Sequence, residues 1–316
     1  MNFYLQEKKN DSRIAQFQID VNENFENWAD FEKQLGVYTE KYEKDKVDDF
    51  CFCVKDFKSS LIKHLKNEEK RINYDLHKEE IITICGTALT NFYKDLNQYS
   101  QDLFRQMINN AARQQSITYN FITFNYTNIF DNCVDFVKKT PKQQNSIHYN
   151  IGKILHIHGD ISKNPLIGVD NAGQINNTEL ANINKIDNLI IKPIINKKLK
   201  KFNDRTATEL IQNGDIICLF GLSLGETDRT WWQQIGQRLL QPNVQLIIFN
   251  IADNWNPIHA DEEIENIDNV INKFYEAANI DSKNRTQLNP RIHIGLNTDL
   301  FKMNLVNDNS NKSVTV

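Results

Sequence analysis

The chain has 316 residues, 40% of them hydrophobic and 25% charged, with a formal net charge of -4. That is enough apolar material for a sizeable core. It gives no basic excess pointing to nucleic acid, and no apolar run of the roughly 18 residues that a membrane helix needs. The opening residues lack the apolar stretch of a signal peptide, so the cytoplasm is the expected compartment.

Residues 1–26 are polar and without a strong period, and read as irregular. A helix is expected from Asn27, with Asn27 as its cap and Asp30 reaching back as a capping-box carboxylate. Trp28, Phe31, Leu35 and Tyr38 or Tyr42 then form its apolar stripe. A second helix is expected over residues 47–67, with Phe50, Val54, Phe57, Leu61 and Leu65 on one face. The charged run 66–71 reads as a solvated turn. A third helical region covers 76–112, with a break near Gly86.

The character changes at about 116. Residues 117–124 read as a strand and 128–138 as a helix. Residues 153–157 form another strand, and 167–169 a short apolar piece in a loop. Residues 188–195 read as a strand ended by Pro193, and 206–212 as a helix. The runs 215–220 and 244–249 are nearly continuous in apolar residues, as in strands buried on both faces. Helices are expected over 226–240 and 262–277, and a last strand over 291–296. This alternation predicts an α/β chain: a mainly helical region over 1–115 packing on an α/β core over 116–316 with a mostly parallel sheet flanked by helices, the two forming one compact unit.

In such sheets ligands bind at the carboxyl ends of the strands. Three strand ends carry polar groups: Asn125 with Thr127 and Asn128, then His158-Gly159, then Gly221 and Ser223 before Asp228. His156 and His158 are two apart and would share a face of a strand. With no third ligand beside them except Asp160, a general base is the better reading of His158 than a metal ligand. Gly221-Leu-Ser-Leu-Gly225 suits a phosphate or ribose at a helix N-terminus, but also has the form of a hydrolase elbow centred on Ser223, with His259 or His293 as partner, and the form of a plain tight turn. Of the adjacent Trp231 and Trp232, at least one is expected in the core. The lysines over 192–201 read as a solvated loop, with a phosphate or nucleic-acid patch as the lesser alternative. The five cysteines read as structural thiols, since Cys51 and Cys53 have no second pair to complete a zinc site.

Set side by side, Asn27-Trp-Ala-Asp-Phe-Glu32, Phe121-Ile-Thr-Phe-Asn-Tyr-Thr-Asn128, Ile157-His-Gly159, Ile167-Gly168 and Phe220-Gly-Leu-Ser-Leu-Gly-Glu-Thr-Asp228 resemble the abortive-infection AbiH family of bacterial anti-phage proteins, within the wider sirtuin-like group. Their order and spacing cover roughly residues 27–305. The resemblance implies a sirtuin-like, Rossmann-type fold and an enzyme that consumes NAD as its substrate by cleaving the nicotinamide–ribosyl bond, with no metal. By similarity Asn125 holds the ribose or the attacking water, and His158 is the base. Thr123, Thr127, Gly159, Gly221, Ser223 and Asp228 would line the nucleotide. The four-cysteine zinc module of deacylase sirtuins is missing.

The pattern departs from the family at the start. Family chains open with a strand and a Gly-Asn-Gly-Phe-Asp-like loop, whereas residues 1–26 contain no glycine and the first is Gly36. A truncated start, a replacement element and loss of NAD binding all remain open. A sheet lacking its first strand would expose an edge that a partner chain or a second copy could cover. The expected partners are thus a nucleotide, a phage or host protein trigger, and a homo-oligomer or partner chain. Two alternative functions stand beside NAD hydrolysis: a degenerate module that binds a nucleotide or protein without turnover, and an esterase-like hydrolase using Ser223.

Overall fold

The structure, a computed structural model, describes residues 1–114, 117–140, 149–163, 165–200, 203–252, 258–306 and 314–315. The first third is helical: α1 (Asn2–Leu5), α2 (Ser12–Glu23), α3 (Phe31–Val37), α4 (Val47–Lys70), α5 (Lys78–Thr90) and α6 (Gln98–Gln114). The chain then alternates through β1 (Ile117–Thr123), α7 (Ile129–Lys139), β2 (Tyr149–His156), α8 (Asn184–Ile190), α9 (Lys192–Lys198), α10 (Asn203–Gln212), β3 (Ile216–Leu219), α11 (Arg229–Leu239), β4 (Gln245–Asn250), α12 (Ala260–Ala277), α13 (Ser282–Leu288) and β5 (Ile292–Leu296). It ends in the short strands β6 (Lys302–Met303) and β7 (Val314–Thr315).

Several expectations are corrected. Residues 1–26 are largely helical. Ile14, Phe17 and Val21 recur at helical spacing and are buried, and the Asp11 side chain caps α2 by accepting from the Arg13 N–H at 3.0 Å. Asn27 opens a single 3₁₀ turn (Asn27–Asp30), and Asp30 caps α3 by accepting from the Lys33 N–H at 3.2 Å rather than reaching back. Residues 66–70 are the last turns of α4, where an exposed helix face and a solvated turn have the same composition. The third helical region breaks at residues 91–97, while Gly86 sits inside α5 with open space where a side chain would go. Residues 188–195 are not a strand: Pro193 occupies the first turn of α9, where its missing N–H costs nothing.

Parallel pairing holds for β1 to β5, but not in the single sheet expected, and β6 pairs antiparallel to β7. β1 pairs parallel to β2, and β3, β4 and β5 pair parallel in that order, giving two small parallel sheets flanked by helices. β4 shows why its sequence is continuously apolar. Leu246 and Ile248 pack with α10 to α13, while Ile247 and Phe249 point to the other face, against Phe92 and Phe104. A separate cluster holds the N-terminal helices to residues 167–191. At its centre Trp28 is fully buried, 5.5 Å from the Phe17 ring and 5.7 Å from the Phe57 ring. Burial of each such ring contributes about 2 kcal/mol.

β5 carries His293, 4% exposed. Its Nε2 donates to Gln245 Oε1 at 3.0 Å and its Nδ1 accepts from the Ser100 hydroxyl at 2.7 Å, joining α6 to β4 and β5. Burial holds this imidazole down to about 4 from its ordinary 6.5. The unfolded chain therefore protonates His293 at a higher pH than the folded chain does, so stability falls as the pH drops from about 6.5 to about 4. The loss is on the order of 3 kcal/mol at the foot of that window. In denaturant melts at pH 7 and pH 4.5, a His293→Gln variant is expected to show a pH difference smaller than wild type by on the order of 2 kcal/mol; equal differences would contradict this.

Candidate functional site

Three chain segments converge where β2 and β3 end. β2 stops at His156, and Gly159 turns the chain at φ +72°. The loop then returns: the Leu166 N–H donates to the His158 carbonyl at 2.7 Å, and Ile161 N–H to the Tyr126 carbonyl at 2.8 Å. Residues 167–169 next run beside the junction of α8 and α9. Val169 N–H donates to the Ile190 carbonyl at 2.7 Å and Lys192 N–H to the Val169 carbonyl at 3.0 Å. Gly168, at φ +154°, permits this approach, since a Cβ there would lie 2.0 Å from the Ile190 carbonyl oxygen.

That pairing aims Lys192 inward. Its side chain is 3% exposed, and its ammonium donates to Glu32 Oε2 of α3 at 2.8 Å and to Asp228 Oδ1 at 2.9 Å. Asp228 ends the 3₁₀ turn Glu226–Asp228 that follows β3. The same Oδ1 lies 2.7 Å from His158 Nε2. A carboxylate oxygen that close to an imidazole nitrogen requires a hydrogen between them, so the neutral ring carries its proton on Nε2. Nδ1 is then the lone-pair nitrogen, and it has no partner among the described residues. The Lys192 ammonium passes 3.4 Å from Nε2. Tyr126 closes the network by donating to Glu32 Oε1, with the Leu166 carbonyl 3.0 Å away.

Opposing effects set the titrations. Burial works against the Lys192 ammonium, but Glu32 and Asp228 outweigh it and its pKa is raised. Burial also works against the Asp228 carboxylate, but the His158 hydrogen bond and the Lys192 charge outweigh it and its pKa is lowered. Burial pushes the Tyr126 phenol well up, with Glu32 adding to it.

Asn125 lies between Phe124 and Tyr126, whose rings meet the His158 ring at 5.5 Å and 6.4 Å. Its carboxamide is exposed and unpartnered among the described residues, and its backbone N–H donates to Thr123 Oγ1 at 3.1 Å. Thr123 and Asn125 are thus joined directly, and His158 meets the two rings that flank Asn125 without a hydrogen bond to the Asn125 carboxamide. Gly221, at φ +64°, and Ser223 are exposed, and nothing lies within 4 Å of where a Gly221 side chain would be.

Two expectations about histidines and lysines change. His156 does not share partners with His158: it takes Asp131 at 2.8 Å and the Asn125 carbonyl at 2.9 Å, because the strand ends at His156 and the chain turns after it. Burial pulls its imidazole down, and the Asp131 bond raises it further, leaving it above the ordinary value. Lys192, Lys197 and Lys198 of the lysine tract lie in helix α9 rather than a loop, with Lys192 its buried first residue; Lys200 follows the helix at φ +53°, and Lys201 lies outside the described residues. Both tryptophans are buried, Trp232 in the core against Phe124 and Trp231 on a cavity wall. As for a hydrolase elbow, the left-handed residues are Gly221 and Leu224, not Ser223, and His293 is committed to Ser100 and Gln245. All five cysteines are free thiols.

The sequence patterns do not single out Glu32, Tyr126 or Lys192 as site residues. Glu32 and Tyr126 lie inside quoted motif segments. Lys192 stands between Ile191 and Pro193, an apolar setting unlike that of a solvated lysine.

A family model described as bacteriophage abortive infection AbiH matches residues 1–250. The chain belongs to this family. The match takes in residues 1–26, which fold as α1 and α2, and every residue of the network described above. Membership in AbiH assigns the chain a role in abortive infection by bacteriophage. No curated protein and no solved structure matches the chain. Among the described residues no helix is long and apolar enough to cross a membrane.

Removing the buried cation tests the network. Lys192→Met leaves Glu32 and Asp228 without their counter-charge, and is expected to cost on the order of 3–5 kcal/mol in chemical denaturation. Adding Glu32→Gln is expected to return part of that loss. A single-variant cost under about 1 kcal/mol would place Lys192 among exposed ion pairs instead.

Proposed function

We propose that this AbiH chain acts in phage defence by hydrolysing NAD at the nicotinamide–ribosyl bond, on a sirtuin-like site. The observation that carries the reading is His158: Asp228 holds Nε2, Nδ1 is left free, and Phe124 and Tyr126 flank it on either side of the exposed Asn125. A base oriented through one nitrogen by a carboxylate, with an exposed, unpartnered carboxamide on the segment that packs against it, suits activation of water or of a ribose hydroxyl.

In this reading the C1′–N bond breaks and nicotinamide leaves as the neutral amide, taking the bonding pair. Water held by Asn125 adds to the oxocarbenium-like C1′ and passes its proton to His158 Nδ1, which returns it to solvent. The products are nicotinamide, ADP-ribose and a proton. Asp228 orients the ring, and Lys192 and Glu32 hold Asp228 in place. Thr123, Thr127, Gly159, Gly221 and Ser223 would line the nucleotide, with Gly221 leaving room for close approach of a phosphate. The charge development asks for oriented dipoles and a base.

A second reading, nucleotide or protein binding without turnover, is favoured by one observation: residues 1–26 form α1 and α2, where a strand and glycine loop would otherwise cradle the pyrophosphate. Incubation of the pure protein with NAD, with and without phage lysate, separates the two. Release of nicotinamide is expected, falling roughly a hundredfold or more in Asn125→Ala and in His158→Ala with the fold retained. Calorimetric binding of NAD or ADP-ribose with no nicotinamide released would establish the second reading and overturn the first.

A further inference from the structure

Beside His158 lies a cavity of about 110 Å³ whose polar wall is formed by Asp170, Lys192, Asn196, Asp204, Gln234 and the hydroxyls of Thr208 and Thr230, with Trp231 on its apolar side. Two of its side-chain acceptors lack a donor among the described residues. Asn196 is 4% exposed; its Nδ2 donates to Asp204 Oδ1 at 2.7 Å, while its Oδ1 is buried with no partner among the described residues. Gln234 Oε1 is buried in the same condition. Asp170 accepts from the Thr230 hydroxyl at 2.7 Å, and neither Asp170 nor Asp204 has a lysine or arginine counter-ion among the described residues. Lys192 is already committed to Glu32 and Asp228. Burial pushes the Asp204 carboxyl up, against the opposing effects of the Asn196 hydrogen bond and of His158.

We propose that this cavity binds a small organic cation with several N–H donors, of the guanidinium or primary ammonium class. Buried acceptors without donors, and buried carboxylates without counter-ions, both cost free energy, and a ligand bringing donors and positive charge relieves all four groups together. Water would supply the donors but not the charge. An anion would be repelled by the Asp170 and Asp204 carboxylates. A metal ion needs its ligands gathered on one point, and among the described residues no three His, Cys, Asp or Glu side chains are so gathered. Trp231 offers ring surface to a flat cation. Size favours the small members of the class: an apolar cavity of roughly 150 Å³ takes benzene, and methylguanidinium is smaller than benzene. The assignment rests on the cavity wall and not on the NAD reading.

Titration calorimetry of the full chain tests it, with methylguanidinium and methylammonium as the cations, acetamide as the neutral donor, acetate as the anion and Mg²⁺ as the metal. Saturable binding of an organic cation is expected, weakened about tenfold or more in Gln234→Leu and in Asp170→Asn. Gln234→Leu is also expected to raise the melting temperature of the ligand-free protein, because it removes an unpartnered buried acceptor. If it fails to fold, Asp204→Asn carries the same binding test. No heat with either cation, equal binding of acetamide, or displacement of the cations by Mg²⁺ would overturn the assignment. Cation binding by a protein that releases no nicotinamide from NAD would leave this cavity standing and remove the hydrolase reading; nicotinamide release without cation binding would do the reverse.

Discussion

A buried ammonium between two carboxylates decides where this site forms. Lys192 cannot sit in the interior alone, since taking an ion out of water costs several kcal/mol. It is tolerated because Glu32 and Asp228 lie 2.8 Å and 2.9 Å away. Those partners come from α3 and from the turn after β3, 160 and 36 residues distant along the chain. The site therefore exists only when the helical first third, the α8–α9 junction and the end of β3 are all in place. Asp228 then has a second use, because the oxygen that takes Lys192 also takes His158 and sets which ring nitrogen is free. One carboxylate thus serves both the buried ion pair and the orientation of the ring.

The rest of the fold serves this convergence. The parallel strands β1 to β5 send their carboxyl ends toward loops that carry polar residues, while both faces of β4 are sealed by helices. The N-terminal helices do more than cover the sheet. Their aromatic core around Trp28 packs on residues 167–191 and so holds both the Gly168 approach and the start of α9. Glu32, at the start of α3, reaches the site from that packing.

Much of this was legible in the sequence. The stripe Phe50, Val54, Phe57 and Leu61 marks α4, and the continuous apolar run over residues 244–249 marks a strand covered on both faces. Asn125 and His158 stand out because polar side chains end apolar runs there, and Asp228 because it closes the segment over residues 220–228 that resembles the family. The features that escaped did so for physical reasons. In α2, Ile14, Phe17 and Val21 are spaced correctly but diluted by polar residues, so the stripe is thin. Residues 188–195 are rich in isoleucine, and a short β-branched run cannot be told from a buried helix by periodicity. Lys192 was hidden by the lysines that follow it, and Asn196 and Gln234 by a chain rich in carboxamides. Burial and pairing across more than a hundred residues are tertiary facts, and no local pattern states them.

Nitrogen-15 NMR of the His158 ring tests the network most directly, because it reads which nitrogen bears hydrogen in the neutral imidazole. The expected result is hydrogen on Nε2 with an unprotonated Nδ1, and loss of that preference in Asp228→Asn. Hydrogen on Nδ1 in the wild-type protein would mean that Asp228 does not orient the ring, and would contradict the account.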